Sequence, residues 1–283
     1  MAEVLLKRTV PPAGPDEGPP VTAPRFSCVC TVERLLSFTT IITLLAAWYA
    51  VTAYGLVSDV LIPAPLKVWD CFLTIATEGY KDNSLRVHLQ DSMARLLGSF
   101  ALVVVTAIPL GLASGTNSKI RAIFDPLVEF YRPLPPLAYY TLLILWMGIE
   151  NSSKVALLFL AGFAPVYLSC VAGVSRIRQD LINGAYTLGA SRRQVFFHVI
   201  LPATLPDIFT GLKTSLGFTY TTLVAAEMVA AVSGIGWMVL DASKFLRSDV
   251  IFVGIIIMGI TGVLLDRVIR VLEEKIVPWR GKE

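Results

Sequence analysis

The sequence predicts an all-α, polytopic helical membrane protein with about six transmembrane helices. Three observations predict it. Of the 283 residues, 55% are hydrophobic and 16% are charged, where a soluble domain carries about a quarter charged residues. The apolar residues come in long continuous runs, and the mean hydropathy is +0.68; a β-barrel shows short alternating segments instead. Basic residues gather on alternate loops, as they do when both chain ends stay in the cytoplasm. The net charge is only +3, which gives no reason to expect a nucleic-acid partner. Cys28, Cys30, Cys71 and Cys170 lack the paired spacing of a metal site and read as free thiols.

Residues 1–34 are rich in Pro and charge and have no early apolar core, so they read as a disordered cytoplasmic tail and not as a signal peptide. The first span is 35–57, preceded by Arg25 and Arg34. Pro63-Ala64-Pro65 breaks the chain. Over 66–77, Val68, Phe72, Leu73 and Ile75 stand beside Lys67 and Asp70, the pattern of an interfacial helix on the outer side. The second span, 87–113, is entered through His88, Gln90, Asp91 and Arg95. Arg95 either snorkels to the interface or faces a cavity. Lys119 and Arg121 mark a basic inner loop.

The third span has a cleanly apolar part, 137–147, that is too short for about 30 Å of hydrocarbon. Asp125, Glu129 and Arg132 precede it, followed by Pro133, Pro135 and Pro136. Either an inner amphipathic helix leads into a short span, or one helix is broken at the prolines. The segment must cross, because otherwise Arg176, Arg178, Arg192 and Arg193 would face outward. The fourth span is 155–174, kinked at Pro165. The fifth lies within 205–231, with Glu227 near its outer end. A glycine-rich turn, Ser233-Gly234-Ile235-Gly236, and a mixed-charge outer segment, 241–249, lead to the sixth span, 250–265. Arg267, Arg270, Lys275, Arg280 and Lys282 keep a C-terminal tail, 269–283, inside. The transmembrane domain is thus 35–268.

One polar, basic interval stands apart, at about 176–204. Its small residues are Gly184, Ala185, Gly189 and Ala190. Gly189 falls where a helix end needs a left-handed residue, and Ser191 suits the N-cap of a second short helix. Leu201-Pro202 is expected to close that helix. Small side chains at the bend allow another protein's backbone to approach.

The pattern Ala185, Gly189, then Val199, Leu201 and Pro202 resembles the EAA loop of ABC-importer permeases. The family consensus opens Glu-Ala-Ala, where this chain has Asn183-Gly184-Ala185. Phe124 to Ala138, with its Arg132-Pro133-Leu134-Pro135-Pro136 core, Trp146-Met147-Gly148 and Phe163-Ala164-Pro165 resemble the taurine branch of the nitrate/sulfonate/taurine permeases. The likeness runs from about residue 61 to 279. It implies a type I importer permease of MetI-like architecture in the bacterial inner membrane, with a homodimer enclosing the pathway. It implies two ABC ATPase subunits, which bind ATP and Mg while this chain binds no cofactor, and a periplasmic substrate-binding protein. It assigns Asn183, Ala185, Leu188, Gly189, Ala190, Ser191, Leu201 and Pro202 to an ATPase-coupling loop. The implied activity is alternating-access import of taurine or a similar small alkanesulfonate.

Catalytic motifs are lacking. There is no G-x-x-x-x-G-K-[ST] and no H-E-x-x-H, and the two histidines are His88 and His198. No catalytic residues and no metal ligands are assigned. A secondary transporter of a small anion or zwitterion is the rival class; the interrupted third span suits it, but no internal repeat is visible. A zwitterionic sulfonate needs donors at one end and acceptors or aromatic faces at the other. Arg132, Tyr131, Tyr139 and Tyr140 cluster near the proline break; Thr219, Thr221, Thr222 and Glu227 add polar groups on the fifth span. Each has a structural alternative: threonine bonding its own helix, tyrosine in an interfacial belt, and Arg132 paired with Glu129.

Overall fold

The computed structural model describes residues 26–279 apart from residue 82, with side chains from residue 35 onward. The expectations for the tail 1–25, for Cys28 and Cys30, for the side chain of Arg34, and for Arg280 and Lys282 lie outside the described residues.

The chain divides into two units near Val51. The first contains most of α1 (Phe26–Ala53), whose apolar stretch Leu35–Ala53 is long enough to cross a bilayer. Thr39, Thr40 and Thr43 donate to carbonyls one turn back on the same helix, so their hydroxyls need no other partner.

The second unit begins with α2 (Pro65–Thr77), which opens on proline, where the missing N–H costs nothing. It buries Val68, Cys71 and Ile75 at helical spacing, as expected for a helix with one covered face. Next come α3 (Leu85–Thr116), α4 (Ser118–Tyr131), α5 (Pro136–Met147), α6 (Asn151–Arg176), α7 (Gln179–Thr187) and α8 (Arg192–Val195). A π-turn over Phe196–Ile200 leads into α9 (Leu201–Ala230), followed by α10 (Ile235–Lys244) and α11 (Ser248–Ile276).

Helix α6 lies between α3 and α9 and packs more extensively with each than any other pair does. Gly111 and Gly115, one turn apart on α3, permit that closeness. A Cβ on Gly111 would come within 2.6 Å of the Cys170 Cβ, and one on Gly115 within 2.6 Å of the Val174 Cβ. Small residues at this spacing let helices in lipid approach by van der Waals packing, since lipid supplies no hydrophobic drive between them. Across the other interface, Ser215 of α9 donates to the Gly162 carbonyl of α6 at 2.8 Å. Leu157, Leu158, Val166, Tyr167 and Cys170 of α6 are fully covered as a result.

Some expectations hold and others are corrected. Among the described residues, five helices are long and apolar enough to cross a membrane on their own. The remaining expected crossing is α5, whose 12 residues at about 1.5 Å each reach about 18 Å. The chain does break at the prolines: α4 ends at Tyr131, and α5 starts at Pro136, with Pro135 at its N-cap. Leu201-Pro202 opens a helix and does not close one. Proline stands in the first turn of the 30-residue α9, where no N–H is needed, and the π-turn before it absorbs the register change. The mixed-charge segment 241–249 is helical as far as Lys244, where α10 ends. Helix α11 continues to Ile276, so residues 269–276 of the expected tail are helical. Arg95 does not snorkel; it is buried and paired with Glu227.

Candidate functional site

Two features stand at the sites read from sequence: a glycine-turned pair of short helices, and a cavity at the proline break. In the first, α7 ends with the Ala190 N–H donating to the Ala185 carbonyl at 3.1 Å and the Gly189 N–H to the Tyr186 carbonyl at 2.9 Å. This is the Schellman closure, and it requires a left-handed residue. Gly189 supplies it, with φ +85°. Ser191 then caps α8: its hydroxyl accepts from the Gln194 N–H, while the Gln194 side chain accepts from the Ser191 N–H at 2.8 Å. Two orphan donors are satisfied reciprocally. Asn183 is exposed and takes part in bonds within α7, accepting from Gln179 at its side chain and from Thr187 at its carbonyl.

The bend presents apolar surface outward. Leu188 is 90% exposed. A shallow cavity of about 410 Å³ runs beside it, lined by Ala185, Gly189, Ala190, Val195, His198 and neighbouring residues. No residue of α7 is fully buried, although Ile182, Ala185 and Ala190 lean on the core. A Cβ on Gly189 would meet no atom within 4 Å. The flanking helices are tied together: Arg176 at the end of α6 pairs with Asp207 of α9 at 2.7 Å. Leu201 and Pro202 are half-buried at the start of α9, away from the turn in sequence but within the same helical path.

At the proline break, a cavity of about 350 Å³ lies between the α4–α5 connection, α6 and α9. Tyr131, Arg132 and Tyr139 line it together, as sequence spacing suggested, and Phe218 and Thr214 complete the α9 side. Arg132 forms no ion pair with Glu129 among the described residues; the pairing alternative is not what the structure holds. The other candidates are not brought to this cavity. Tyr140 is buried and donates to the Ala226 carbonyl at 3.5 Å. Thr221 bonds back to the Gly217 and Phe218 carbonyls of its own helix. Thr219 and Thr222 are buried within the unit.

Glu227 belongs to a different cluster, which sequence reasoning missed. It is 1% exposed, pairs with Arg95 at 2.8 Å, and accepts from Ser92 at 2.7 Å and from the Gly236 N–H at 2.9 Å. Arg95, 5% exposed, also donates to the Ser233 carbonyl at 2.9 Å and to Asn151 at 2.7 Å. The Gly234 N–H donates to His88 at 3.1 Å and the Ile235 N–H to Ser92 at 3.1 Å. The first N–H groups of α10 are thereby satisfied by side chains of α3 and α9, so the turn into α10 is clamped to the bundle. The only signal available in sequence was ionisable residues set inside two apolar runs, Arg95 in one and Glu227 in the other.

Beyond the spans, Tyr80 and Lys81 close on Asp241, at 3.0 and 2.6 Å. Burial and then the Asp241 bond push the Tyr80 hydroxyl up to about 12. Burial raises the Asp241 carboxyl, but the Lys81 ammonium and the Tyr80 hydroxyl outweigh it and hold the group below its usual range. Cys71 and Cys170 are buried free thiols. Burial, reinforced by Asp249, pushes the Cys71 thiol up to about 11, so it is not a reactive thiolate near neutrality.

Comparison with known proteins places this architecture. Residues 107–278 match the family of binding-protein-dependent transport system inner membrane components. The taurine transport system permease protein TauC of Escherichia coli is 44% identical over 248 residues, covering 87% of this chain and 90% of that protein. The nitrate import permease protein NrtB of Synechocystis is 30% identical over 226 residues, covering 78% and 82%. Among solved structures, a chain of the MetNI methionine ABC transporter in an inward-facing conformation superposes with a TM-score of 0.53. That match covers 65% of this chain and 94% of that one at 16% identity, and so shares the fold. The chain belongs to the binding-protein-dependent transport system inner membrane components, as an ABC-importer permease of the taurine, sulfonate and nitrate family.

Proposed function

We propose that this chain is the membrane subunit of an ATP-driven importer that moves taurine or a similar small alkanesulfonate across the inner membrane. It works as a homodimer with two ABC ATPase subunits, which hold the ATP and Mg, and receives substrate from a periplasmic binding protein. Both chain ends lie in the cytoplasm. The observation that supports the substrate is the 44% identity with TauC over 87% of this chain. The coupling role falls to the α7–Gly189–α8 unit, with Asn183, Ala185, Leu188, Ala190 and Ser191 around the turn and Leu201 and Pro202 leading into α9. Its exposed Leu188 and open cavity support that role: an apolar knob and a socket at a rigid bend suit docking of another protein. Closure of the ATPase dimer would then swing α7 and α8, and with them α9, as rigid bodies that open the pathway outward.

The test is uptake of radiolabelled taurine by cells producing the whole importer, with unlabelled competitors. Taurine and short alkanesulfonates should compete at comparable concentrations, and nitrate and bicarbonate should not. Competition by nitrate at the taurine concentration, with none by alkanesulfonates, would remove the sulfonate assignment.

A further inference from the structure

The cavity at the proline break has a composition that the fold alone does not require. Tyr131 and Arg132, consecutive in the chain, both line it. Tyr131 closes α4, and its hydroxyl is buried with no hydrogen-bond partner among the described residues. Leaving such a hydroxyl unpaired is unfavourable, and a bound acceptor would relieve it. Arg132, the next residue, lines the same cavity, and no carboxylate is among the lining residues. The rest of the wall is mostly apolar, from Pro136, Leu160, Ala164 and Phe218, with the Thr214 hydroxyl on the α9 side. The volume of about 350 Å³ falls at the small end of ligand pockets, about 300–1,000 Å³. Backbone broken at membrane depth is tolerated where it lines a cavity, and transporters place binding sites at such breaks.

Resting on the sulfonate-importer reading, we propose that this cavity is a transit subsite for a small zwitterionic sulfonate. The Arg132 guanidinium presents a planar set of donors that matches two oxygens of a tetrahedral anion, and the Tyr131 hydroxyl donates to the third. The ammonium end is met by a weaker feature: the rings of Tyr139 and Phe218 in the wall offer faces to a cation. With one strong anion contact and only diffuse cation contacts, the subsite discriminates for the sulfonate and passes the ammonium. A site that must release its cargo needs no tighter grip.

The test uses the complete importer, with ATPase and loaded binding protein, in liposomes, and reads taurine moved per ATP hydrolysed. Arg132→Gln should lower that ratio about tenfold, the scale of losing a charge-assisted contact, and Arg132→Lys should recover part of it. Ala164→Leu, which fills the cavity with methyl groups, should lower it as well. If Arg132→Gln does not assemble with the ATPase, Tyr131→Phe carries the test: it keeps the ring, removes the orphan hydroxyl, and should lower the ratio severalfold. Wild-type ratios in the assembled Arg132 or Tyr131 variants and in Ala164→Leu, beside normal transport by the unmodified importer, overturn the subsite while leaving the importer reading intact. An unmodified importer that hydrolyses ATP and moves no sulfonate overturns both.

Discussion

Burying the pair of Arg95 and Glu227 is costly. Two full charges leave water, and each is compensated only because its remaining bonding capacity is also filled, by Ser92, Ser233, Asn151 and the Gly236 N–H. Glu227→Gln leaves the covered guanidinium with only the more distant, partly exposed Asp91 carboxylate, 3.9 Å away, as counter-charge. The expected loss is about 3–5 kcal/mol, seen as a lowered melting temperature of the purified protein in detergent. Arg95→Gln combined with Glu227→Gln should be less destabilised than Glu227→Gln alone, since no uncompensated charge remains. A melting temperature unchanged in Glu227→Gln would mean that the pair does not hold the turn into α10. This pair was not legible in the sequence. Its partners lie 132 positions apart, and neither Arg95 nor Glu227 carries a local pattern that names the other. Ser191 was legible, because its cap is made with Gln194, three residues on.

Among the elements, the α7–Gly189–α8 unit was read correctly where the physics is local, and wrongly where it is not. The left-handed glycine and the capping serine follow from the chain's own bonding. The fate of Pro202 does not: proline equally ends a helix or starts one, and only the packing of α9 along α6 decides between them. Helix α10 was missed because its N-terminal donors are satisfied by α3 and α9, and its own first residues carry no capping side chain. For Gly189, the backbone at φ +85° penalises a β-branched residue by about 1–2 kcal/mol, while the space around it is open. Gly189→Val should therefore insert and fold, yet lose most taurine transport and much of its co-purification with the ATPase. Wild-type levels of both would show that the bend is not where the ATPase docks.

At the scale of the molecule, composition and run length foretold an all-helical membrane fold, and the structure has it. The number of full-length spanning helices was harder to read. Charge placement predicts a crossing between α3 and α6, where the chain has α4, a proline break and the short α5. Apolar length alone sees only the 12 residues of α5. The same break that hid the element from a length criterion is the one that lines the cavity with Tyr131 and Arg132, so the departure from a regular span and the candidate substrate path coincide. Energy coupling is the central claim, because the chain has no phosphate-binding loop of its own and exposes an apolar bend at α7–α8. The direct measurement compares two sets of liposomes: one holds this chain with its ATPase and receives loaded binding protein, and the other holds this chain alone. Taurine accumulation in the first, dependent on ATP hydrolysis and indifferent to imposed ion gradients, is the predicted result. Taurine accumulation by the chain alone, driven by an ion gradient without ATP, would contradict it.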